Sequence, residues 1–258
     1  MEESDREDRL TQIFEFIKER KTASVEAICR TFSISQSTVR RMLISLEREN
    51  RINRFRGGAI AILQNTPELP VMRRMEVMET EKRALARHAV RYIHDRDTIL
   101  LTSGSTIRHL TGLLDGFSQL TVLTDSILVL NDLMYKKNIN LVMLGGQVYL
   151  EEQCTYGFLP ADNASHFKIN TMFTSVKSIS VNHGFMTDDL QHMPYYRKLM
   201  QLSEKVIVLA DHNKFYIDGT AILYHFSEVD RLLTGDAVPD PLAVELKEKI
   251  RNVDLCGL

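Results

Sequence analysis

The most chemically distinctive segment of this chain is a run of arginines near its N-terminus. Residues 30–63 contain seven arginines and two glutamates, a local charge of +5, although the 258-residue chain carries −2 overall. Clustered guanidinium groups attract the phosphate backbone of a nucleic acid. Such a run is also typical of a solvated helix face, so the charge alone leaves both interpretations open.

The spacing within this run favours the nucleic-acid interpretation. If a helix begins after Ser35 and ends near Asn50, its apolar residues form one stripe, made of Val39, Met42, Leu43 and Leu46. The opposite side then carries hydroxyl and guanidinium groups, which contact base edges and phosphates in a major groove. The candidate DNA-binding residues of this helix are Ser35, Gln36, Ser37, Thr38, Arg40, Arg41, Ser45 and Arg48.

Two preceding helices and a following hairpin are predicted to position this helix. Apolar residues at helical spacing (Leu10, Ile13, Phe14 and Ile17) predict a helix over residues 7–19, and Ser24 is a good N-cap for the next one. The short turn at residues 33–35 completes a helix-turn-helix pattern. Residues 51–60 alternate in polarity and turn at Gly57-Gly58, which predicts a β-hairpin wing that lays Arg54 and Arg56 along the DNA backbone.

From about residue 80 the pattern changes to short apolar runs that alternate with helices. A helix is predicted over residues 81–94, and strands are predicted at 98–101, 120–123, 140–144, 172–176, 206–210 and 231–234. Such alternation predicts an α/β fold with a buried, largely parallel sheet. Ligands of these sheets bind beyond the carboxyl ends of the strands.

Several predicted strand ends carry polar residues and glycines that suit an anionic or polyhydroxylated ligand. Hydroxyl and backbone N–H groups at a helix N-terminus form a cradle for such a ligand. The same residue types also serve as ordinary helix caps, so each loop alone has two interpretations. The candidate ligand-binding residues are Ser103, Gly104, Ser105, Thr106, Thr124, Asp125, Ser126, Gly145, Gly146, Asp211 and Lys214.

Composition and the remaining motifs exclude several other classes of protein. The content of 44% hydrophobic and 26% charged residues is ordinary for a soluble protein, and no apolar run is long enough to span a bilayer. Three widely spaced cysteines and a polar N-terminus without signal-peptide features lead us to expect a cytoplasmic protein. The eight histidines form no metal-binding pair, and no catalytic triad or carboxylate pair is evident, so we expect no metal, no cofactor and no catalytic residues.

Motifs along nearly the whole chain resemble those of the DeoR family of bacterial transcriptional regulators. The N-terminal part is SISQSTVRRMLISLE followed by RINRFRGGA, which resembles the recognition helix and wing of that family. The C-terminal part contains TSGST at 102–106, TDS at 124–126, Gly145-Gly146, GFMT at 184–187 and ADHNKF at 210–215. These resemble the loops of the family's effector-sensing domain.

The resemblance implies a winged helix-turn-helix domain over residues 1–62, a proline-containing linker over 63–79 and an α/β sensor domain over 80–258. The sensor of this family resembles ribose-5-phosphate isomerase without established catalysis, and its usual ligand is a phosphorylated sugar or a related metabolite. The resemblance therefore implies a sequence-specific regulator, usually a repressor of a carbohydrate operon, that binds double-stranded operator DNA as a homodimer or homotetramer. The alternative is an isomerase-like enzyme fused to a helix-turn-helix.

Three residues depart from the family pattern. Met42 and Thr102 each stand where the family usually has Asp, and Asp125 stands where it has Asn. We expect Asp125 to add a negative charge to the rim of the ligand site, which would repel a phosphate unless a cation lies nearby. Lys177 and Lys214 are the candidates for that cation, and Lys177 is therefore a further candidate ligand-binding residue.

Overall fold

A computed structural model describes residues 3–63 and 69–257. The N-terminal unit consists of three helices and a three-stranded antiparallel sheet in the order β1-β3-β2. Its elements are α1 (Glu3–Arg20), β1 (Thr22–Ser24), α2 (Val25–Phe32), α3 (Gln36–Arg48), β2 (Ile52–Phe55) and β3 (Gly58–Ala61). The predicted helix-turn-helix and wing are confirmed, whereas the three-residue strand β1 was not predicted because it is too short to show alternation.

Local hydrogen bonds explain where these helices begin and end. The Ser24 side chain accepts from the backbone N–H of Ala27 at 3.0 Å, and the Ser35 side chain accepts from that of Thr38 at 3.2 Å. Each serine thus satisfies a backbone donor in the first turn of its helix. Ser33 has left-handed backbone geometry, with φ of 53°, which ends α2 and redirects the chain into α3.

The apolar stripe of α3 forms the centre of this unit. Val39, Met42, Leu43 and Leu46 are all buried, as predicted, and they pack against Leu10, Ile13 and Ile17 of α1 and Ile28 of α2. Burial of this stripe leaves the opposite face of α3 in solvent.

A short segment joins the two units. Thr66 and Pro67, on which the linker prediction partly rests, lie outside the described residues. The segment then forms the one-turn helix α4 (Val71–Arg74) and leads into α5 (Glu79–Ala89). Helix α5 ends before the predicted position and continues as a 3-10 turn at Val90–Tyr92.

The larger unit is built on a seven-stranded sheet in which every neighbouring pair is parallel. Its strands are β4 (Thr98–Leu101), β5 (Leu120–Thr124), β6 (Ile139–Met143), β9 (Thr171–Thr174), β12 (Val206–Ala210), β14 (Arg231–Gly235) and β15 (Val253–Cys256), in the order β15-β14-β12-β9-β4-β5-β6. All six predicted strands are present, and the fold class, a winged helix-turn-helix plus a parallel-sheet α/β domain, is confirmed.

Helices cover both faces of this sheet. They are α5, α6 (Ser105–Arg108), α7 (Ile127–Leu133), α8 (Phe158–Ser165), α9 (Met193–Gln201) and α10 (Asp240–Lys249). Alternate residues of a strand enter different apolar clusters: Leu100 belongs to one, and Ile99 and Leu101 belong to the other. Burial on both faces explains why these strands appear in the sequence as continuous apolar runs.

Short antiparallel strands extend from the carboxyl edge of the sheet. One pair is β7 (Gln147–Tyr149) with β8 (Cys154–Tyr156), and a second sheet contains β10 (Ser178–Ser180), β11 (Gly184–Thr187) and β13 (Ala221–Tyr224). None of these strands was predicted. Each has only three or four residues, which is too short to show alternation, and its pairing partner depends on how the central sheet is packed.

The wing packs on the larger unit. Phe55 and Ile60 belong to the same buried apolar cluster as Leu100 and Val208 of the central sheet. The backbone N–H of Leu63 also donates to the carbonyl of Tyr216 at 2.8 Å. The predicted two units therefore share an apolar contact.

Two further observations concern the chain as a whole. All three cysteines carry free thiols. Among the described residues, no helix combines the length and the apolar character needed to cross a bilayer.

We expect Leu43→Ala to lower the free energy of unfolding of the N-terminal unit by about 2–5 kcal/mol, because it leaves a cavity in a fully packed core. All eight tyrosines lie after residue 90 and the chain has no tryptophan, so tyrosine fluorescence reports the larger unit alone. The urea midpoint measured by circular dichroism should therefore shift more than the midpoint measured by tyrosine fluorescence. Thr31→Ala, at an exposed position of α2, is the control. Equal shifts of both signals would show that the units unfold as one.

Candidate functional site

The outer face of α3 carries the predicted DNA-binding groups. Gln36, Ser37, Arg40, Arg41 and Arg48 are exposed on this face. Ser35 and Thr38 form the helix N-terminus, where the Ser35 hydroxyl lies 2.8 Å from that of Ser37 and 3.0 Å from that of Thr38. Ser45 is half-buried and donates to the carbonyl of Arg41 at 3.4 Å. The face therefore presents guanidinium, amide and hydroxyl donors in a row along one helix.

A groove lies between α3 and the wing. Its walls include Arg40, Arg54 and Arg56 as well as Gly57 and Gly58. A Cβ at residue 58 would lie 2.6 Å from the carbonyl oxygen of Ala23, so the close approach of β3 to β1 requires glycine there. The structure thus brings the predicted wing arginines next to the recognition helix.

The arginines of this surface differ in their partners. Arg54 Nε donates to Glu47 Oε2 at 2.7 Å, and an Arg56 guanidinium nitrogen donates to Glu248 Oε1 at 2.9 Å. In the described part of the chain, Arg40, Arg41 and Arg48 have no carboxylate partner. The helix therefore presents uncompensated positive charge, and the wing does not.

The second candidate site is a cavity of about 540 Å³ at the carboxyl edge of the parallel sheet. Ser103 and Gly104 follow β4, and Ser175 and Lys177 follow β9. These two strands are neighbours, so the loops after them meet, as expected for a ligand site of a parallel sheet. Other lining residues come from α4, α9 and the antiparallel strands: Arg74, Tyr149, Glu151, Glu152, Thr187, Asp188, Asp189, Tyr196 and Thr220.

Both basic side chains of this cavity are paired with carboxylates that line it. Lys177 binds Asp188, and Arg74 binds Glu152. Asp188 also accepts from the backbone N–H and the hydroxyl of Thr220, both at 2.9 Å. Four carboxylates and two basic groups line the cavity, so its own charge is negative. The cavity therefore combines hydroxyl groups with cations that are already held by carboxylates.

Asp125 is placed differently from the sequence-based expectation. It lies behind the cavity wall, fully buried, where its carboxylate accepts from the Ser103 N–H at 2.6 Å and the Tyr195 hydroxyl at 3.2 Å. Burial raises its pKa to about 7, although the hydrogen bonds from Ser103 and Tyr195 oppose that shift. The Ser103 hydroxyl in turn lies 2.9 Å from that of Tyr196. Asp125 therefore holds the Ser103 loop in place, and Lys177 binds Asp188.

Most other predicted ligand-binding residues have structural contacts. Ser105 accepts from Lys82 Nζ at 2.9 Å, Thr124 donates to the Leu101 carbonyl at 2.7 Å, and Ser126 caps α7 by accepting from the Val129 N–H at 3.3 Å. Thr106 is buried within α6. The capping interpretation therefore describes Ser126, whereas α6 has no side-chain cap and the hydroxyls of Ser105 and Thr124 contact α5 and β4.

The remaining candidates lie at other strand ends. A Cβ at Gly146 would meet a Pro160 side-chain carbon and the Tyr156 carbonyl oxygen at 2.7 Å, and Gly145 precedes it in the same turn. Asp211 caps the 3-10 turn at His212–Phe215, in which Lys214 is buried. Of the predicted set, the described cavity wall contains Ser103, Gly104 and Lys177. The binding roles of all these residues stay predictions.

Sequence reasoning missed the residues that antiparallel strands bring to the cavity. Asp188 and Asp189 directly follow β11, Tyr149 ends β7, and Glu151 lies in the turn between β7 and β8. The paired acids after the GFMT motif are a signal that was available. The other contributions depend on how the short strands fold over the sheet edge.

Two further side chains at the strand ends, Thr102 and His212, make contacts within the fold. The hydroxyl of Thr102 donates to that of Thr174 at 3.1 Å, which joins the ends of neighbouring strands where the family usually has Asp. His212 binds Glu81 through its backbone N–H and its Nδ1, both at 2.7 Å, and this contact raises the pKa of the imidazole. His212 therefore ties α5 to the end of β12.

The fold and its two sites define a class of protein: a DNA-binding unit joined to a ligand-sensing α/β domain. Residues 9–65 match the DeoR-like helix-turn-helix domain, and residues 77–236 match the DeoR C terminal sensor domain. The chain belongs to the DeoR family of transcriptional regulators.

Named relatives match along nearly their whole length. The chain is 30% identical to the HTH-type transcriptional repressor GlcR of Bacillus subtilis, over 94% of this chain and 93% of that protein. It is 29% identical to the HTH-type transcriptional regulator IolR of the same organism, over 87% and 88%. It is 25% identical to the glycerol-3-phosphate regulon repressor of Escherichia coli, over 95% and 96%. These matches support a regulator and not the enzyme alternative.

Among solved structures, the chain is similar to ribose 5-phosphate isomerase from Plasmodium falciparum. The TM-score is 0.40 and the identity is 16%, over 56% of this chain and 55% of that chain.

We expect Asp125→Asn to stabilise the protein at pH 7.5 and to change it little near pH 4. The folded-state pKa of about 7 lies above the ordinary 3.8, so the unfolded chain releases this proton first and the wild type loses stability as pH rises between these values. The loss is at most about 4 kcal/mol. An asparagine oxygen still accepts from Ser103, and its amide donates to Tyr195. Urea unfolding at pH 4, 5.5 and 7.5 measures the difference.

The exposed substitution Asp162→Asn is the matched control for this series. A stability difference between Asp125→Asn and the wild type that does not vary with pH would contradict the raised pKa of Asp125. A less stable variant at pH 7.5 would show that the buried carboxylate is ionised and favourably bound.

Proposed function

We propose that this protein represses a carbohydrate-related operon by binding its operator, and that a phosphorylated sugar or a related metabolite controls that binding. The observation that carries the first part is the exposed face of α3, on which Arg40, Arg41 and Arg48 have no carboxylate partner among the described residues. An enzyme has no use for such a surface, whereas DNA binding requires it.

The relatives support the sense of regulation and the class of operon. GlcR is named a repressor, the Escherichia coli relative is named for the glycerol-3-phosphate regulon, and a further relative from Escherichia coli O157:H7 is named a putative aga operon transcriptional repressor. By analogy, we propose that this chain acts as a cytoplasmic repressor and associates with the chromosome when it binds its operator.

The cavity supports a polyhydroxylated ligand with one anionic group. Ser103, Ser175, Thr187 and Tyr196 supply hydroxyls that match those of a sugar. We propose that the anionic group of the ligand replaces Asp188 on Lys177. Because the cavity carries more carboxylates than basic groups, each further negative charge on the ligand is opposed.

Operators of helix-turn-helix proteins commonly have two-fold symmetry, and a symmetric oligomer places one recognition helix on each half-site. We therefore propose that the protein binds operator DNA as a homodimer or a homotetramer.

We expect Arg41→Ala to weaken binding to the operator by about 1–3 kcal/mol if Arg41 contacts a base. An operator duplex can be selected from a random pool with the wild-type protein, and affinities for it and for a scrambled duplex compared at two salt concentrations. A base contact lowers the affinity for the operator alone, whereas a phosphate contact lowers both affinities together.

Arg91→Ala, which removes an exposed arginine of the sensor domain, is the control for this measurement. Unchanged binding of the Arg41 variant to both duplexes would contradict the assignment of α3 as the recognition helix.

We expect at least one sugar phosphate to raise the melting midpoint of the wild-type protein, and Lys177→Met to abolish that rise. A ligand that binds only the folded state stabilises it according to its concentration relative to Kd. The screen pairs each sugar phosphate with its unphosphorylated parent, and Lys168→Met, at an exposed lysine, is the control. An unphosphorylated sugar that stabilises the wild type and the Lys177 variant equally would contradict the anionic-ligand proposal.

A further inference from the structure

The wing is docked on the sensor domain through a buried contact. Phe55 and Ile60 lie in the sensor's apolar cluster. Asn53 is buried, and its Oδ1 accepts from the Ser180 hydroxyl at 3.4 Å. The contact involves the wing, the hairpin for which the family resemblance implies a role in DNA binding. It therefore brings a DNA-binding element and the sensor into direct apposition.

Carboxylates of α10 hold the wing arginine in this docked position. The backbone N–H of Arg56 donates to Glu245 Oε2 at 2.5 Å, and its guanidinium group donates to Glu248 Oε1 at 2.9 Å. A phosphate group of DNA offers the same kind of anionic oxygen acceptor to a guanidinium group. Glu248 therefore occupies the group with which Arg56 is expected to contact the DNA backbone.

The hairpin formed by β10 and β11 joins this docking contact to the effector cavity. At its tip, Asn182 Nδ2 donates to Glu47 Oε1 at 2.8 Å, and Lys249 Nζ donates to the Val181 carbonyl at 2.7 Å. At its base lie Lys177 and Asp188, which face each other across the cavity wall. One short antiparallel hairpin thus contacts the ligand site, α10 and the recognition helix.

We propose that the docked wing is a self-inhibited state, in which Glu245 and Glu248 compete with DNA phosphate for Arg56. This inference rests on the proposed operator binding. The β10–β11 hairpin gives the state of the cavity a direct route to the docked wing, because the exchange of Asp188 for a ligand at Lys177 acts on the base of the same hairpin.

The strength of the Arg56 contact suits a reversible competition. The side chains of Arg56 and Glu248 are 71% and 49% exposed, and ion pairs between such exposed groups are weak. A row of DNA phosphates can therefore displace Glu248, whereas a buried ion pair would hold the wing permanently.

The test compares Glu248→Gln with Asp240→Asn in the full-length protein. Both substitutions remove one negative charge from α10, but Asp240 is exposed in the first turn of the helix, away from the Arg56 contact. We expect Glu248→Gln to bind the selected operator duplex about two- to fivefold more tightly than Asp240→Asn at low salt, since it releases a weak ion pair. This difference should shrink at high salt, because salt screens the Arg56–Glu248 ion pair that Asp240→Asn retains.

Hydrogen exchange without DNA gives a second readout. Amides of residues 52–61 should exchange faster in Glu248→Gln than in Asp240→Asn, because the wing undocks more often. Equal affinities at low salt or equal exchange rates for the two variants would overturn the proposal. A wild-type protein that binds no duplex would contradict the proposed function as well. If the wild type binds its operator and the two variants bind it equally, the self-inhibition alone would be overturned.

Discussion

All seven strands of the central sheet run in the same direction, so the loops that follow them lie along one edge. The rest of the sensor domain depends on this constraint. It brings Ser103, after β4, next to Ser175 and Lys177, after β9, although about 70 residues separate them along the chain. It also demands that both faces of the sheet be covered, which leaves the carboxyl edge as the place where a cavity with polar walls can form.

The short antiparallel strands at that edge connect the two functions of the molecule. The β10–β11 hairpin supplies cavity groups at its base and contacts Glu47 and the wing at its tip. The two ends of this hairpin are a few residues apart, so in the proposed self-inhibition a change at its base reaches its tip without a long chain of side chains. The docking of Phe55 and Ile60 then makes the position of the wing a property of the sensor as much as of the DNA-binding unit.

Carboxylates determine how the positive charge of the N-terminal unit is distributed. Glu47 and Glu248 neutralise the two wing arginines, whereas the arginines of α3 have no carboxylate partner within residues 3–63 and 69–257. In the sensor, the buried Asp125 acts through hydrogen bonds to the Ser103 loop rather than through charge on the cavity rim. The family's usual asparagine can bond to the same two groups, accepting from Ser103 and donating to Tyr195, without the cost of burying a charge, which explains why Asp and Asn both fit this position.

The sequence by itself determined the elements and their order. Caps at Ser24 and Ser35, the stripe through Leu43 and the six apolar runs are local signals, because hydrogen bonds and periodic burial involve residues a few positions apart. It also located the exposed arginine face of α3 and three of the cavity residues, Ser103, Gly104 and Lys177. Only the tertiary structure decided that Asp125 is buried, that Asp188 binds Lys177, and that Glu248 holds Arg56. These are pairings between segments distant in sequence, and which carboxylate meets which cation is set by the packing of the sheet, α10 and the wing, a property that no local pattern records.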